Sequence, residues 1–118
     1  MTSTLSNTPA IPTATRDTVF RVDQFVVPDH ALPAFMKQAH RIDALLHEMP
    51  GCDHHLVLTR KQDIDSTRVL TLVQWHNQAG MAAAKALVQQ IYASEGFEPQ
   101  AFIQKLGVTA DFGIYGLV

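Results

Sequence analysis

The sequence predicts an α+β fold: a ferredoxin-like βαββαβ sandwich with an antiparallel sheet, assembled as a homodimer. Three observations carry this expectation. Hydrophobic periodicity alternates between strand and helix patterns in the order strand, helix, strand, strand, helix, strand. The chain has 118 residues, the length of one domain. Its strands are apolar on both faces, although the helices suffice to cover only one.

Composition narrows the function classes. Hydrophobic residues make up 47% and charged residues 17%, so the domain can bury a core without staples. A net charge of −2 gives no basic face for nucleic acid. The single cysteine, Cys52, cannot form an internal disulfide, which suits a reducing, cytoplasmic compartment. No apolar run approaches the roughly 20 residues that cross a bilayer, so no membrane partner is expected. Residues 1–17 are rich in Thr, Ser and Pro, lack a secretory pattern and read as a flexible arm; residues 18–118 read as the domain.

Each element has its own signal. "TVFRVDQFVV" is rich in Val and Phe and reads as a strand through Val27. Pro28-Asp29 breaks it, with Asp29 expected to cap the following helix and Pro33 to fall in its first turn. Leu32, Phe35, Met36, Ala39, Ile42, Leu45, Leu46 and Met49 then recur at helical spacing. Pro50-Gly51 ends that helix, Gly51 in a left-handed conformation. "CDHHLVLTR" is the second strand, "KQDIDST" a polar, mobile turn that is long for a hairpin, and "RVLTLVQWH" the third strand. Asn77 caps a second helix through "QAGMAAAKALVQQIYA". "EPQAFIQKL" forms a short further helix between Pro99 and Gly107, and "TADFGIYGLV" is the last strand.

The face pattern motivates the dimer. Val69, Val73 and Trp75 share one side of the third strand, while Leu70 and Leu72 share the other. Leu56 and Leu58 oppose Val57, and Phe112 and Ile114 oppose Tyr115. The arm has too few large apolar residues to cover the second face. A second copy of the same sheet is the expected cover.

On these residues the chain resembles the antibiotic-biosynthesis monooxygenase (ABM) domain, a member of the dimeric α+β barrel superfamily. The resemblance spans roughly residues 18–118. It rests on the first strand ending "VVP", the helix ending "LLHEMPGC", the junction "VLTLVQWHNQAGMAAA" and the closing "FIQKLGVTADFGIYGLV". "MPG" followed by "QW" at a strand end is its most specific part. The resemblance implies a homodimeric α+β barrel with a pocket between sheet and helices in each subunit. It also implies cofactor-independent oxygenation, without flavin or metal, of a small or polycyclic aromatic or phenolic substrate. Trp75 stands where aromatic-oxidising members place a pocket tryptophan. Some members carry an asparagine four positions earlier and a tyrosine six positions later; here those positions are Thr71 and Met81. These departures support a second reading, a non-catalytic ligand-binding or regulatory dimer. The tryptophan and later histidine of the haem-degrading branch are absent from "AAAKALV" and "YASEG".

Trp75 is therefore expected to wall a pocket, whether as a wedge or as part of the chemistry. Histidine suits proton transfer near neutral pH, and His76 and His54 are the expected bases. Gln24, Thr71, Met81 and Phe35 are the expected substrate contacts. Arg21 and Asp23 read as an ion pair at the dimer face. No spacing resembles a metal signature, so no metal site is expected.

Overall fold

The structure, a computed structural model, describes residues 13–118. Most of the expected arm lies outside the described residues. Four strands and three helices follow in order: β1 Val19–Pro28, α1 Leu32–Leu46, β2 Cys52–Asp63, β3 Ser66–Trp75, α2 Gln78–Glu95, α3 Pro99–Leu106 and β4 Thr109–Gly116. The strands form one antiparallel sheet in the order β2-β3-β1-β4. This is the ferredoxin-like α+β fold that the sequence predicts.

Local chemistry explains most boundaries. Asn77 is extended, and its Oδ1 accepts a hydrogen bond from Gly80 N at 2.8 Å, starting α2. Gly96 (φ 67°) and Gly107 (φ 73°) end α2 and α3 in the left-handed conformation that glycine adopts without a Cβ penalty. Pro33 lies in the first turn of α1, where a missing N–H costs nothing.

Two local expectations are corrected. Asp29 does not cap α1: Ala31 holds that position without a side-chain bond. The Asp29 carboxylate instead accepts from Thr67 Oγ1 at 2.8 Å and pairs with Lys61, tying the end of β1 to the β2–β3 hairpin. The long turn over "KQDIDST" is also absent. Lys61 to Asp63 continue β2, Ser66 and Thr67 begin β3, and only Ile64 and Asp65 turn. Asp63 Oδ1 accepts from Asp65 N at 2.9 Å, an Asx turn that shortens the loop. Helix α1 itself stops at Leu46, and two further turns carry the chain to Gly51 (φ 84°).

The helices cover one sheet face in two buried clusters. Val27, Ala31, Phe35, Val69 and Val108 form the first. Met49, Val73, Trp75 and Ala84 form the second. The register puts Phe20, Val22, Leu56, Leu58, Leu70, Leu72 and Tyr115 on the opposite face. Several of these stay exposed, including Leu58 at 50% and Tyr115 at 54%. The sheet is thus apolar on both sides, as its sequence pattern requires.

Candidate functional site

A cavity of about 540 Å³ lies between the sheet and the helices. This is within the range that holds a small organic ligand. Its floor is built by alternate residues of the sheet, which share one face. Val57, Thr71, Asp23 and Phe112 stand opposite one another across β2, β3, β1 and β4. The next row toward Trp75 contains Val73, Arg21 and Ile114. Phe35, Ile42 and Leu46 of α1 and Met81, Ala84 and Val88 of α2 form apolar walls. Phe102 and Ile103 of α3 close a further side.

Aromatic rings give much of that surface a flat, polarisable character. Phe25 packs against Phe35 at 5.0 Å between ring centroids and edge-on to Phe112 at 5.9 Å. Tyr92, Phe97 and Phe102 form a second run, at 4.9 and 5.3 Å. Trp75 is 4% exposed, belongs to the second core cluster and also lines the cavity. It therefore plugs the core with one part of its surface and walls the cavity with another.

One ion pair interrupts the apolar floor. Arg21 Nε donates to Asp23 Oδ1 at 2.7 Å, and the two side chains are only 30% and 16% exposed. The Arg21 guanidinium also lies 5.4 Å from the centroid of the Phe112 ring, a cation–π distance. Burial pushes the Asp23 carboxyl above its ordinary value, and the Arg21 hydrogen bond and charge oppose this only in part. Burial likewise raises the Tyr92 hydroxyl. The Gln38 amide, also at the cavity, is buried beside the Tyr92 hydroxyl and opposes that rise in part.

The expected site residues separate into two groups. Trp75, Thr71, Met81 and Phe35 line the cavity. Gln24, His54 and His76 do not. Gln24 is on the outer sheet face, where its Oε1 accepts from Arg68 Nη1 at 2.9 Å. His54 pairs with Gln74 and shares that outer face, beyond the irregularity between Cys52 and His54. His76 lies past the end of β3; its side chain is 70% exposed and has Nδ1 3.6 Å from Asp53 Oδ2. The expectation of a pocket base at either histidine is corrected by this placement.

Arg21 and Asp23 are corrected in the other direction, because they belong to the helix-covered face and not the open one. Both share strand alternation with Phe25 and Val27, but Phe20, Val22 and Val26 make the other parity equally apolar, so the sequence alone did not single them out. His55 was the other silent residue. Its Nδ1 is 2.6 Å from Oδ1 of Asp43, a residue at the cavity, and its ring packs edge-on to His47. Cys52 is a half-buried free thiol whose pKa is raised by burial, consistent with a packing role. Among the described residues, no group of three or more His, Cys, Asp or Glu is arranged to hold a metal ion. No helix among them is long and apolar enough to cross a membrane.

Solved structures share this fold. The chain is similar to SnoaB, a cofactor-independent oxygenase from Streptomyces nogalater, at 21% identity with a TM-score of 0.60; the match covers 86% of this chain and 94% of that one. It is similar to a proposed antibiotic biosynthesis monooxygenase from Deinococcus radiodurans at 17% identity, TM-score 0.66, covering 85% and 92%. A dimeric ferredoxin-like protein from an uncultured marine organism matches at 13% identity, TM-score 0.63, covering 86% and 96%. At these identities the likeness establishes the fold. No family model matches the chain, and no curated protein matches it.

Proposed function

We propose that the protein is a cofactor-independent monooxygenase of the ABM type, acting on a small or polycyclic aromatic or phenolic substrate. The observation that carries this reading is the cavity: large, with a predominantly apolar surface, and walled by Trp75 and two aromatic runs. An electron-rich aromatic anion can pass an electron to dioxygen without a prosthetic group. A ring methylene is then oxidised to a carbonyl, and the second oxygen atom leaves as water. The chain's part is to bind and orient the ring, exclude water and stabilise the anion. The likeness to SnoaB supports the same class.

We further infer a homodimer joined through the outer sheet face. The ten-residue strands β1 and β3 and the spacing of four strands give a face of about 30 Å by 19 Å, about 600 Å² in plan, near one side of a standard interface. The marine ferredoxin-like neighbour is itself dimeric. The second reading, a ligand-binding dimer without turnover, is favoured by Thr71 and Met81, which offer no amide or phenol at those two positions of the cavity.

Oxygen uptake by flavin-free, metal-free protein against anthrones, hydroquinones and catechols separates the readings. Saturable uptake, reduced in Trp75→Phe, supports the oxygenase. Absence of uptake with retained quenching of Trp75 fluorescence by the same compounds selects the binding protein.

A further inference from the structure

We propose that Asp23 and Arg21 are the polar centre of the cavity, Asp23 accepting the proton of a ligand's acidic hydroxyl and Arg21 holding the oxyanion. This assignment rests on the aromatic-ligand reading above and names its catalytic pair. Three observations point to it. Both residues line the cavity floor on β1, one of the two inner strands, in neighbouring rows. They are mutually paired and largely buried within a surface otherwise dominated by rings and aliphatic groups. The pair uses Arg21 Nε, which leaves both terminal guanidinium nitrogens outside it.

A charged pair has no packing reason to occupy that floor. Two apolar side chains there would avoid desolvation, and a buried ion pair is weak as a source of stability. A charge pair does suit an acid–base reaction that leaves the net charge unchanged. The ligand O–H bond breaks, its proton bonds to the Asp23 carboxylate, and the electron pair stays on the ligand oxygen. The new anion takes over the Arg21 guanidinium as Asp23 becomes neutral. Burial favours neutral Asp23, so the same environment that excludes water also promotes this exchange. Arg21, packed on the Phe112 ring, is held in place as its partner changes.

The test uses binding, so it does not depend on turnover. The probes are 2,4-dinitrophenolate, ionised at neutral pH, and 1,3-dinitrobenzene, which has no ionisable oxygen. Arg21→Met weakens dinitrophenolate binding about tenfold or more, the scale of one hydrogen bond to a charged group, and leaves dinitrobenzene within about twofold. Calorimetry near pH 6 in buffers of different ionisation enthalpy then reads the proton. Wild type takes up close to one proton on binding dinitrophenolate, and Asp23→Asn takes up none. Asp43, Tyr92 and Lys85 at the cavity, and Asp111, whose charge reaches Asp23, remain in both proteins. The difference between them therefore isolates Asp23.

Equal proton uptake by wild type and Asp23→Asn overturns the base. An equal loss of both probes in Arg21→Met overturns the anion site. These results are separate from the oxygenase reading. Charge-dependent binding without oxygen uptake sinks that reading and leaves the polar centre standing. Oxygen uptake from weakly acidic phenols that Asp23→Asn leaves unchanged sinks the base and leaves the oxygenase.

Discussion

Trp75→Phe measures how one residue divides its surface between core and cavity. The substitution removes about 40 Å³ of ring, and an unrelaxed void of that size costs ~1 kcal/mol at about 24 cal/mol per Å³. Losing about 30 Å² of buried apolar surface adds ~0.8 kcal/mol at about 25 cal/mol per Å². A tryptophan enclosed wholly by core would therefore lose ~2 kcal/mol. Trp75 borders a cavity of about 540 Å³, so the new space joins one that already exists. The void contribution then falls away, and the expected cost is ~1 kcal/mol, a melting shift of roughly 3–6 °C for a chain of this size. Val69→Ala is the control: Val69 is fully buried in the first cluster and does not line the cavity, so the whole cavity penalty applies, about 2–3 kcal/mol. Urea unfolding of both variants at one fixed protein concentration, with affinity for an aromatic ligand measured alongside, decides the matter. A Trp75→Phe cost near that of Val69→Ala, with ligand affinity unchanged, would refute the shared role.

Other consequences follow from single contacts. On the proposed dimer, Leu72→Lys places a charge in the middle of the joining sheet face, so wild type is expected to sediment as a dimer and the variant as a monomer, with the cavity's ligand affinity retained. Asn77→Ala removes the cap on α2 and is expected to cost ~1 kcal/mol in chemical denaturation. Two carboxylates give opposite acid responses. Asp29 sits below its ordinary value because Lys61 and Thr67 bond its ionised form, so its stabilisation, present above about pH 4, is lost as pH falls through its folded pKa; Asp29→Asn should flatten that loss. Asp23 is raised by burial, so protonation favours the folded state, and that stabilisation is lost as pH rises through its folded pKa. Asp23→Asn should therefore make the acid decline steeper than in wild type.

The sequence was most readable where local chemistry acts alone. Asn77, Pro99 and Gly107 mark helix ends because capping and left-handed backbone are properties of one or two residues. The hairpin was less readable. Asp63 and Asp65 look like loop residues, but an Asx turn and the Asp29–Lys61 and Asp29–Thr67 contacts draw their neighbours into strands. Asp29 looks like a helix cap for the same local reason, and a distant partner on the hairpin claims it instead.

By itself the sequence determined the element order, the antiparallel ferredoxin-like sheet and the apolar character of both its faces. These follow from periodicities of two and 3.6 that each segment carries internally. It also determined that Trp75 ends β3 beside a helix start. Only the tertiary structure decided which parity of each strand lies under the helices. On β1 both parities are apolar, so alternation alone gives Gln24 and the Arg21–Asp23 pair equal claims to the cavity. The register of β1 against β3 and β4, fixed by partners far along the chain, turned Arg21 and Asp23 inward and Gln24 outward. The irregularity in β2 similarly left His54 on the outer face, and the end of β3 left His76 in solvent. A side-chain period of two makes a strand's faces legible, but choosing between them takes the rest of the fold.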